Sequence, residues 1–304
     1  LRVDELPGNK RAMPGFGYRW SKHLGIPDPA IRMGTSQTQP LKGFPLIDSP
    51  LFKAHRCEGI FGNKESIADQ LHQRGYAVVD LGRERMQILA DRIRGDLGAE
   101  FDLEAWREAG GQGGLRVQDA WRQSQAVREL ALLPEIVQML QTCWGRQPFA
   151  FQTLNFPVGA QQHLHSDAVH FHSEPPGFMC GVWVALEDIH PDSGPLEYVP
   201  GSHRLPYLQA ADVGVQQRPG VTPDQTIFHD YWQAAVASEC FKTERFTPKL
   251  GQALIWSANL IHGGSVVNDL QRSRWSQLTH YFFGGCRYYT PMLSDWPERP
   301  GGMA

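Results

Sequence analysis

The sequence predicts a mainly β protein of the α+β class, in which helices from the first half of the chain pack on one face of a barrel or jelly roll. Three observations support this prediction. Residues 65–147 place apolar side chains at helical spacing, residues 148–285 are divided into short apolar segments by Gly, Pro, Asn and Asp turns, and a long stretch at 205–247 interrupts that series. Many short strands between turn residues are typical of β-sandwiches and barrels.

The first half of the chain contains an irregular segment followed by a regular one. Residues 1–64 hold seven prolines and eight glycines with little periodicity, which predicts an extended arm along the surface. Apolar residues then recur at the spacing that buries one face of a helix. The predicted elements are a helix from Glu65 to about Arg74, a strand from Tyr76 to Leu81, a helix that buries Met86, Leu89, Ala90, Ile93 and Leu97, and a helix that begins at Pro134 and stops at Gly145.

The second half, after Pro148, is predicted to hold the β core. Its long interruption, 205–247, contains the aromatic run from Phe228 to Trp232 and is predicted to form a lid over the mouth of the barrel; an excursion over the surface is the alternative. Residues 65–304 then form a single domain, with 286–304 as a C-terminal tail. The predicted strands are Phe149–Phe156, Gln161–His165, Phe178–Leu186, Leu196–Val199, Ala253–Trp256 and Arg274–Phe283.

Charge, hydropathy and cysteine usage narrow the classes of function. The formal net charge is −3 and there is no basic stripe, so a nucleic-acid partner is not expected. The longest apolar stretch, Phe178–Leu186, is far shorter than the roughly 18 residues of a membrane helix, so no membrane partner is expected either. The five cysteines are scattered without Cys-x-x-Cys spacing, which indicates neither a disulfide framework nor a zinc ribbon and fits a cytoplasmic protein.

The most informative pattern is His165-Ser166-Asp167 followed, far along the chain, by His262. Two side chains separated by one residue point to the same side of an extended segment, and a histidine on a facing strand can complete one face of an octahedron. Two imidazoles and one carboxylate leave three positions open, which suits Fe(II) that chelates an oxo acid and takes O2. A zinc site closed by four protein ligands has no such positions. The sequence therefore predicts a ferrous iron site.

A second strand is predicted to return beside His262, and arginines lie at its start. Either Arg272 or Arg274 would lie near the metal if this strand pairs with that of His262. A planar guanidinium holds a carboxylate through two parallel hydrogen bonds, which the far carboxylate of a bound 2-oxoglutarate needs. The two arginines share a strand face at period two, so the pattern alone does not choose between them.

Four motifs follow one another in the chain: His165-x-Asp167, the run from Cys180 to Asp188, the run from Ser193 to Arg204, and His262-Gly with a downstream arginine. In combination and order they resemble the phytanoyl-CoA dioxygenase family of non-haem Fe(II), 2-oxoglutarate-dependent oxygenases, from roughly residue 65 to 285. The resemblance implies a double-stranded β-helix core, jelly-roll and cupin-like, with flanking N-terminal helices and a long lid insertion. It also implies Fe(II), 2-oxoglutarate and O2 as cofactor and cosubstrates, and hydroxylation of an aliphatic C–H bond of a small organic substrate with release of succinate and CO2.

The same resemblance assigns roles to individual residues. His165, Asp167 and His262 are similar to the iron ligands, and Arg274 is similar to the 2-oxoglutarate anchor because it keeps the family's six-residue offset to the pair His280-Tyr281. The intact carboxylate favours hydroxylation over halogenation, for which related enzymes carry a small residue at this position. Three further residues are candidates for binding the cosubstrate, namely Arg272, Gln152 on a strand that leads toward His165, and Ser265, which stands one place later than in many relatives.

Substrate contacts are predicted at six positions: His170, His172, Trp183, Arg204, His229 and Trp232. Each has an ordinary structural alternative, such as an exposed loop for the histidines and a core position for the tryptophans. Two other functions also remain open. One is a metal-dependent enzyme of the same fold that does not use 2-oxoglutarate, and the other is a non-catalytic binding member of the fold.

Overall fold

The centre of the structure is built from short antiparallel strands in three sheets. The computed structural model describes residues 39–215 and 225–292. Its strands are β1 (Tyr76–Asp80), β2 (Val117–Gln118), β3 (Pro148–Phe156), β4 (His172–Glu174), β5 (Met179–Ala185), β6 (Leu196–Tyr198), β7 (Glu244–Phe246), β8 (Gln252–Ser257), β9 (His262–Gly264), β10 (Ser276–Phe283) and β11 (Arg287–Tyr289). The large sheet has the order β1-β8-β5-β10-β3-β2, a second sheet has the order β7-β6-β9, and β4 pairs with β11.

The α-helices of the described residues lie mainly before β3, and local signals set their ends. Asp102 and Ser124 accept hydrogen bonds from the backbone N–H groups of Ala105 and Val127, which begins two of the helices. Another ends at Gly75, whose φ is +81°, and a Cβ there would lie 2.5 Å from the His203 ring. The helices are α1 (Phe52–Cys57), α2 (Glu65–Arg74), α3 (Arg83–Leu97), α4 (Leu103–Glu108), α5 (Gln125–Ala131), α6 (Pro134–Trp144) and α7 (Thr226–Ser238).

The large sheet separates two hydrophobic layers because successive side chains on a strand point to opposite faces. One face, with Val182, Ile255 and Tyr281, packs against the helices of the first half of the chain. The other face packs against the second sheet through a cluster we call the inner core, which contains Leu154, Trp183, Leu254, Trp256 and Leu278 from the large sheet and Leu196, Tyr198 and Phe246 from the second. Two packed sheets with helices on one outer side are the architecture that the sequence predicts.

The second sheet brings the chain back to the inner core at the position of a predicted metal ligand. Its middle strand, β6, pairs with both β7 and β9, and Tyr198 lies opposite His262. His262 is also joined to His165 by an isolated bridge in which each backbone N–H donates to the other residue's carbonyl, at 2.8 and 2.9 Å. This bridge fixes two of the predicted ligands side by side.

Several local predictions differ from the structure. Residues 161–165 form no strand beyond the bridge at His165, because Gln161 has a φ of +48° and breaks the extended backbone. Within the predicted extended arm, residues 52–57 form α1, since Phe52 and His55 are buried on its inner side. Residues 244–246, predicted as part of the lid, form β7, and 287–289 in the predicted tail form β11.

Other parts of the predicted organisation fall partly outside the described residues. These are residues 1–38 of the arm, 216–224 of the lid segment and 293–304 of the tail. The division into arm, domain and tail therefore stays a prediction. Among the described residues, none of the helices has the length and apolarity required to cross a bilayer.

Candidate metal centre

The donor atoms of His165, Asp167 and His262 all lie within 4.8 Å of one another. The Nε2 atom of His165 is 3.9 Å from Asp167 Oδ1, and the Nε2 atom of His262 is 3.8 Å from Asp167 Oδ2. His262 and Asp167 are 3% exposed, and the His165 side chain is 13% exposed. Two nitrogen donors and one carboxylate, gathered in this way, form the ligand set of a facial iron triad.

Both imidazoles are oriented by backbone carbonyl groups so that one nitrogen is left for a metal. Nδ1 of His165 lies 2.8 Å from the carbonyl oxygen of His163, and Nδ1 of His262 lies 2.9 Å from that of Leu260. A carbonyl oxygen only accepts, so Nδ1 donates, and Nε2 is the ring nitrogen available to a metal. Burial, together with the neighbouring His262, lowers the pKa of His165 to about 3, so this imidazole is neutral near pH 7.

Asp167 begins a short turn, Asp167–Val169, that Ser166 caps with its side chain. Ser166 Oγ also donates to Asn259 Oδ1 at 3.0 Å, which ties this turn to the segment before His262. Burial opposes ionisation of Asp167, but the surrounding histidines, His262 foremost, lower its pKa well below its usual range, so the group remains a carboxylate. The site therefore holds an anionic ligand between two imidazoles, which suits a divalent cation.

Arg274 is a buried cation whose charge is not paired within the site. It is 3% exposed, its Nη2 donates to the carbonyl of Val158 at 3.2 Å, and its Nε has no partner among the described residues. The guanidinium lies 5.6 Å from the ring of Phe156 and 5.4 Å from that of Trp183. Burial lowers the pKa of Arg274 to about 10, partly offset by Glu187, so the group stays charged. A buried, unpaired guanidinium fits the carboxylate of a ligand.

Arg274 and the metal ligand Asp167 both contact tryptophans of the inner core. Trp183, whose ring lies beside the guanidinium, belongs to the inner core together with Trp256. The indole Nε1 of Trp256 donates to Asp167 Oδ2 at 2.8 Å. The residues present therefore fit an iron ion at the triad, and Arg274 offers a buried cation for a carboxylate.

The other predicted cosubstrate residues are engaged elsewhere. Arg272 lies on the surface, in an ion pair of 2.9 Å with Asp269. Ser265 Oγ donates to the carbonyl of Pro195 at 2.8 Å, and Gln152 contacts His280 rather than the triad. As a cosubstrate anchor, Arg272 does not fit, because its guanidinium is neutralised in a surface turn.

The six predicted substrate residues lie in three places, two residues in each. Near the triad, the His170 ring lies 6.3 Å from that of His165, while His172 is buried between the rings of Tyr207 and Tyr289. On α7, His229 lies 5.1 Å from His163, and Trp232 is 3% exposed and packs with Phe228 against Val169 and Ile261. The remaining two do not join them, since Trp183 lies in the inner core beside Arg274 and Arg204 is exposed and donates to the carbonyl of His72.

Two residues of the site were not assigned a role from the sequence. Trp256 and His280 both direct a ring nitrogen at Asp167. Period-two alternation from Arg274 along its strand already places position 280 on the same face, so that signal was present. Nothing local in the sequence indicates which strand His280 would face.

Comparison with known proteins agrees with this geometry. Residues 69–270 match the family model described as phytanoyl-CoA dioxygenase (PhyH). The chain belongs to the phytanoyl-CoA dioxygenase family. Among curated relatives, it is 30% identical to the phytanoyl-CoA dioxygenase domain-containing protein 1 of Bos taurus over 151 residues, 47% of either chain. It is 26% identical to the ectoine dioxygenase of Nocardia farcinica over 190 residues, 58% of this chain and 61% of that protein. The alignments thus span less than two thirds of these relatives.

Solved structures confirm the predicted fold. EctD from S. alaskensis, determined with 2-oxoglutarate and 5-hydroxyectoine, has a TM-score of 0.55 at 20% identity over 76% of this chain and 80% of that one. SnoK, a non-haem α-ketoglutarate-dependent carbocyclase of nogalamycin biosynthesis, has a TM-score of 0.55 at 16% identity over 74% of this chain and 86% of that one. The predicted family and jelly-roll fold are therefore confirmed.

Proposed function

We propose that the protein is an Fe(II)- and 2-oxoglutarate-dependent dioxygenase that hydroxylates an aliphatic C–H bond of a small organic substrate and releases succinate and CO2. The observation that carries this proposal is Arg274. Its buried guanidinium has no ion-pair partner among the described residues and lies beside Trp183 of the inner core, the same cluster from which Trp256 donates to Asp167 of the His-Asp-His triad. A metal site alone would serve many enzymes. The unpaired cation beside it supports a cosubstrate with two carboxylates.

The residues of the chain divide the work of such a reaction. His165, Asp167 and His262 would hold the iron, which when bound supplies the redox chemistry that couples O2 to decarboxylation of the oxo acid and to C–H oxidation. Arg274 binds and orients the far carboxylate of the cosubstrate. Trp183, beside it in the inner core, keeps water away from this ion pair and so strengthens it.

Proton transfer by side chains is not required of this site. The overall change, R–H with 2-oxoglutarate and O2 giving R–OH, succinate and CO2, balances without an added acid or base. The neutral state of His165, whose pKa is lowered to about 3 by burial, agrees with a ligand role rather than general acid-base work. The chain contributes position, charge and exclusion of solvent.

The substrate side of the site is proposed to lie toward His170 and α7. The His170 ring lies 6.3 Å from that of His165. The ring of His229 on α7, in the segment predicted as a lid, lies 5.1 Å from that of His163, two positions before His165. Substrate class is left to a screen, in which ectoine is a natural member because a matched relative is an ectoine dioxygenase. Ring closure and epimerisation are further possible outcomes, since the similar structures SnoK and SnoN are described as a carbocyclase and an epimerase.

The test is a screen of metabolites for stimulated succinate formation with Fe(II), ascorbate and 2-oxoglutarate, in air and under nitrogen. We expect succinate only in air, and a product that gains one oxygen atom from ¹⁸O-labelled O2. Asp167→Ala should be inactive, whereas His190→Ala, which changes a partly exposed imidazole beside Asp192, should remain active. Metal-dependent turnover of a substrate without 2-oxoglutarate would contradict the proposal, and so would equal succinate formation by Asp167→Ala.

A further inference from the structure

The oxygen Oδ2 of Asp167 faces two ring nitrogens from the large sheet. Nε1 of Trp256 donates to it at 2.8 Å, and Nε2 of His280 lies 3.5 Å away. Trp256 is fully buried and His280 is 3% exposed. Among the described residues, Nε2 of His280 makes no hydrogen bond, and its approach to Oδ2 of Asp167 is the polar contact recorded for it. One oxygen of the carboxylate is therefore surrounded differently from the other.

The position of His280 is fixed on every side. It lies opposite Gln152 in the register of β10 and β3, and its Nδ1 is 2.8 Å from Gln152 Oε1. The rings of Phe151 and Phe171 pack beside the imidazole, with centroids 5.9 and 5.2 Å away. A residue held this firmly presents Nε2 to Asp167 in one orientation.

The indole of Trp256 occupies the space that a side chain on Gly181 would fill. A Cβ on Gly181, its partner across β5 and β8, would lie 2.4 Å from the indole ring. The backbone of Gly181 does not have a positive φ, so a glycine is required here because the indole occupies the space of a side chain. The indole lies flat over Gly181 and reaches Asp167.

His280 is close to the metal ligands without being one of them. The group of donor atoms that lie mutually within 4.8 Å contains His165, Asp167 and His262 and does not contain His280. Ligands of one ion, even those opposite each other, are separated by only about twice a metal–nitrogen bond of roughly 2.1 Å. His280 therefore stands beside the site.

Building on the iron site of the proposed function, we propose that His280 is a positioning residue that, with Trp256, holds Oδ2 of Asp167 in hydrogen bonds, so that Asp167 binds the metal through Oδ1 alone. Nε2 of His280 then carries a proton. Gln152 accommodates this through either end of its amide, since a half rotation places NH2 instead of oxygen against Nδ1.

The consequence concerns the number of open coordination positions. With two histidines and both carboxylate oxygens on a six-coordinate ion, four positions are filled and a bidentate oxo acid takes the remaining two. With one carboxylate oxygen, three are filled, and one position is left for O2 after the oxo acid binds. If Oδ2 is held away from the metal, one coordination position therefore remains open for O2.

The test compares variants that remove or retain an N–H at this point. His280→Leu removes it, His280→Gln places an amide N–H where Nε2 was, and Trp256→Phe removes the other donor. The matched control is His190→Leu, at an imidazole that is 41% exposed beside Asp192. Co(II) affinity is measured by titration, and nitric oxide, as a stand-in for O2, is titrated under nitrogen into the Fe(II)–2-oxoglutarate form and followed by electron paramagnetic resonance. Melting temperatures show that each variant is folded.

We expect His280→Leu to bind Co(II) and nitric oxide about 10- to 100-fold more weakly, with His280→Gln restored to within about threefold of the unaltered protein. Trp256→Phe should weaken both in the same direction, and His190→Leu should change neither. The inference is overturned if folded His280→Leu binds both probes normally, if His280→Gln is no better than His280→Leu, or if His280→Leu loses the metal as completely as Asp167→Ala, which would make it a ligand. Failure of the unaltered protein to bind Co(II) and 2-oxoglutarate would instead overturn the proposed function, and this inference with it.

Discussion

Replacement of Arg274 is the most direct perturbation of the proposed cosubstrate site. Arg274→Leu removes a guanidinium that is 3% exposed and has no ion-pair partner among the described residues, while it retains part of the side-chain volume. Arg274→Lys keeps a charge and loses the planar fork. The control is Arg272→Leu, which removes an arginine two positions away that pairs with Asp269 on the surface. The three variants separate charge, geometry and location.

The expected magnitude follows from the burial of the guanidinium. A hydrogen bond to a charged group contributes about 1.5–3 kcal/mol, which corresponds to roughly 10- to 150-fold in a dissociation constant. We therefore expect Arg274→Leu to weaken 2-oxoglutarate binding by about this factor, Arg274→Lys to give an intermediate loss of about tenfold, and Arg272→Leu to change nothing.

Although Arg274→Leu should weaken 2-oxoglutarate binding, it should not lower the free energy of unfolding. Burial lowers the pKa of Arg274 from 12.5 to about 10, which corresponds to roughly 3 kcal/mol against the charged form. Without 2-oxoglutarate, Arg274→Leu should therefore be at least as stable as the unaltered protein. Saturating 2-oxoglutarate should raise the melting temperature of the unaltered protein and leave that of Arg274→Leu unchanged.

The assay is calorimetric titration of the Co(II)-loaded protein with 2-oxoglutarate and with 2-oxobutanoate, which lacks the far carboxylate. The unaltered protein should prefer the dicarboxylate by about the factor that Arg274→Leu loses, and Arg274→Leu should bind both acids equally, since the cycle isolates one pair of groups. If folded Arg274→Leu still prefers the dicarboxylate as strongly as the unaltered protein does, the reasoning is refuted.

Three further predictions concern pH, the lid segment and packing at the metal site. Burial lowers the pKa of His172 from 6.5 to about 4, so between these pH values the unfolded chain binds a proton that the folded chain does not, and the free energy of unfolding should fall by about 2 kcal/mol from pH 7 to pH 5. Urea denaturation at both pH values should show a smaller fall for His172→Gln than for the unaltered protein. Trp232→Ala, at a position 3% exposed, should lower the free energy of unfolding by about 3–5 kcal/mol and speed limited proteolysis within 205–247, whereas Ile227→Ala, at a position 41% exposed, should do neither. Equal proteolysis rates for the two variants would show that Trp232 does not hold α7 in place. Gly181→Ala should displace the indole of Trp256, lower stability by about 1–3 kcal/mol and weaken Co(II) binding, and unchanged Co(II) affinity would show that the indole does not support the site.

The sequence predicted those parts of the fold that depend on near neighbours. The helix from Pro134 to Trp144 has its start signal, its apolar face and its terminating Gly145 within one short segment, and the structure has it there. The pair His165-x-Asp167 could be recognised for the same reason, because only one residue separates the two side chains. In contrast, β4, β9 and β11 have three residues each, too few for a period to be recognised.

The remaining features of the site depend on register between distant segments. Arg272 and Arg274 could not be separated by strand periodicity because β10 begins only at Ser276, and Arg272 lies in a preceding turn that Asp269 stabilises. The position of His280 follows from its pairing with Gln152, 128 residues earlier in the chain. Such pairings are set by the packing of the whole sheet, which no local pattern records. The cytoplasmic location stays a prediction.

The triad spans the gap between the two packed sheets, since His262 begins β9 while Asp167 is held by Trp256 of β8. An ion bound there would link the two sheets, which otherwise pack against each other through apolar side chains. Saturation at a thousandfold excess over the dissociation constant adds about 4 kcal/mol to the free energy of unfolding. Iron supply would then govern how long each molecule survives cellular proteases as well as how fast it turns over. Iron-starved cells should clear the unaltered protein sooner than iron-replete cells do, whereas the clearance of Asp167→Ala, which lacks a metal ligand, should not depend on iron; pulse-chase labelling measures both rates.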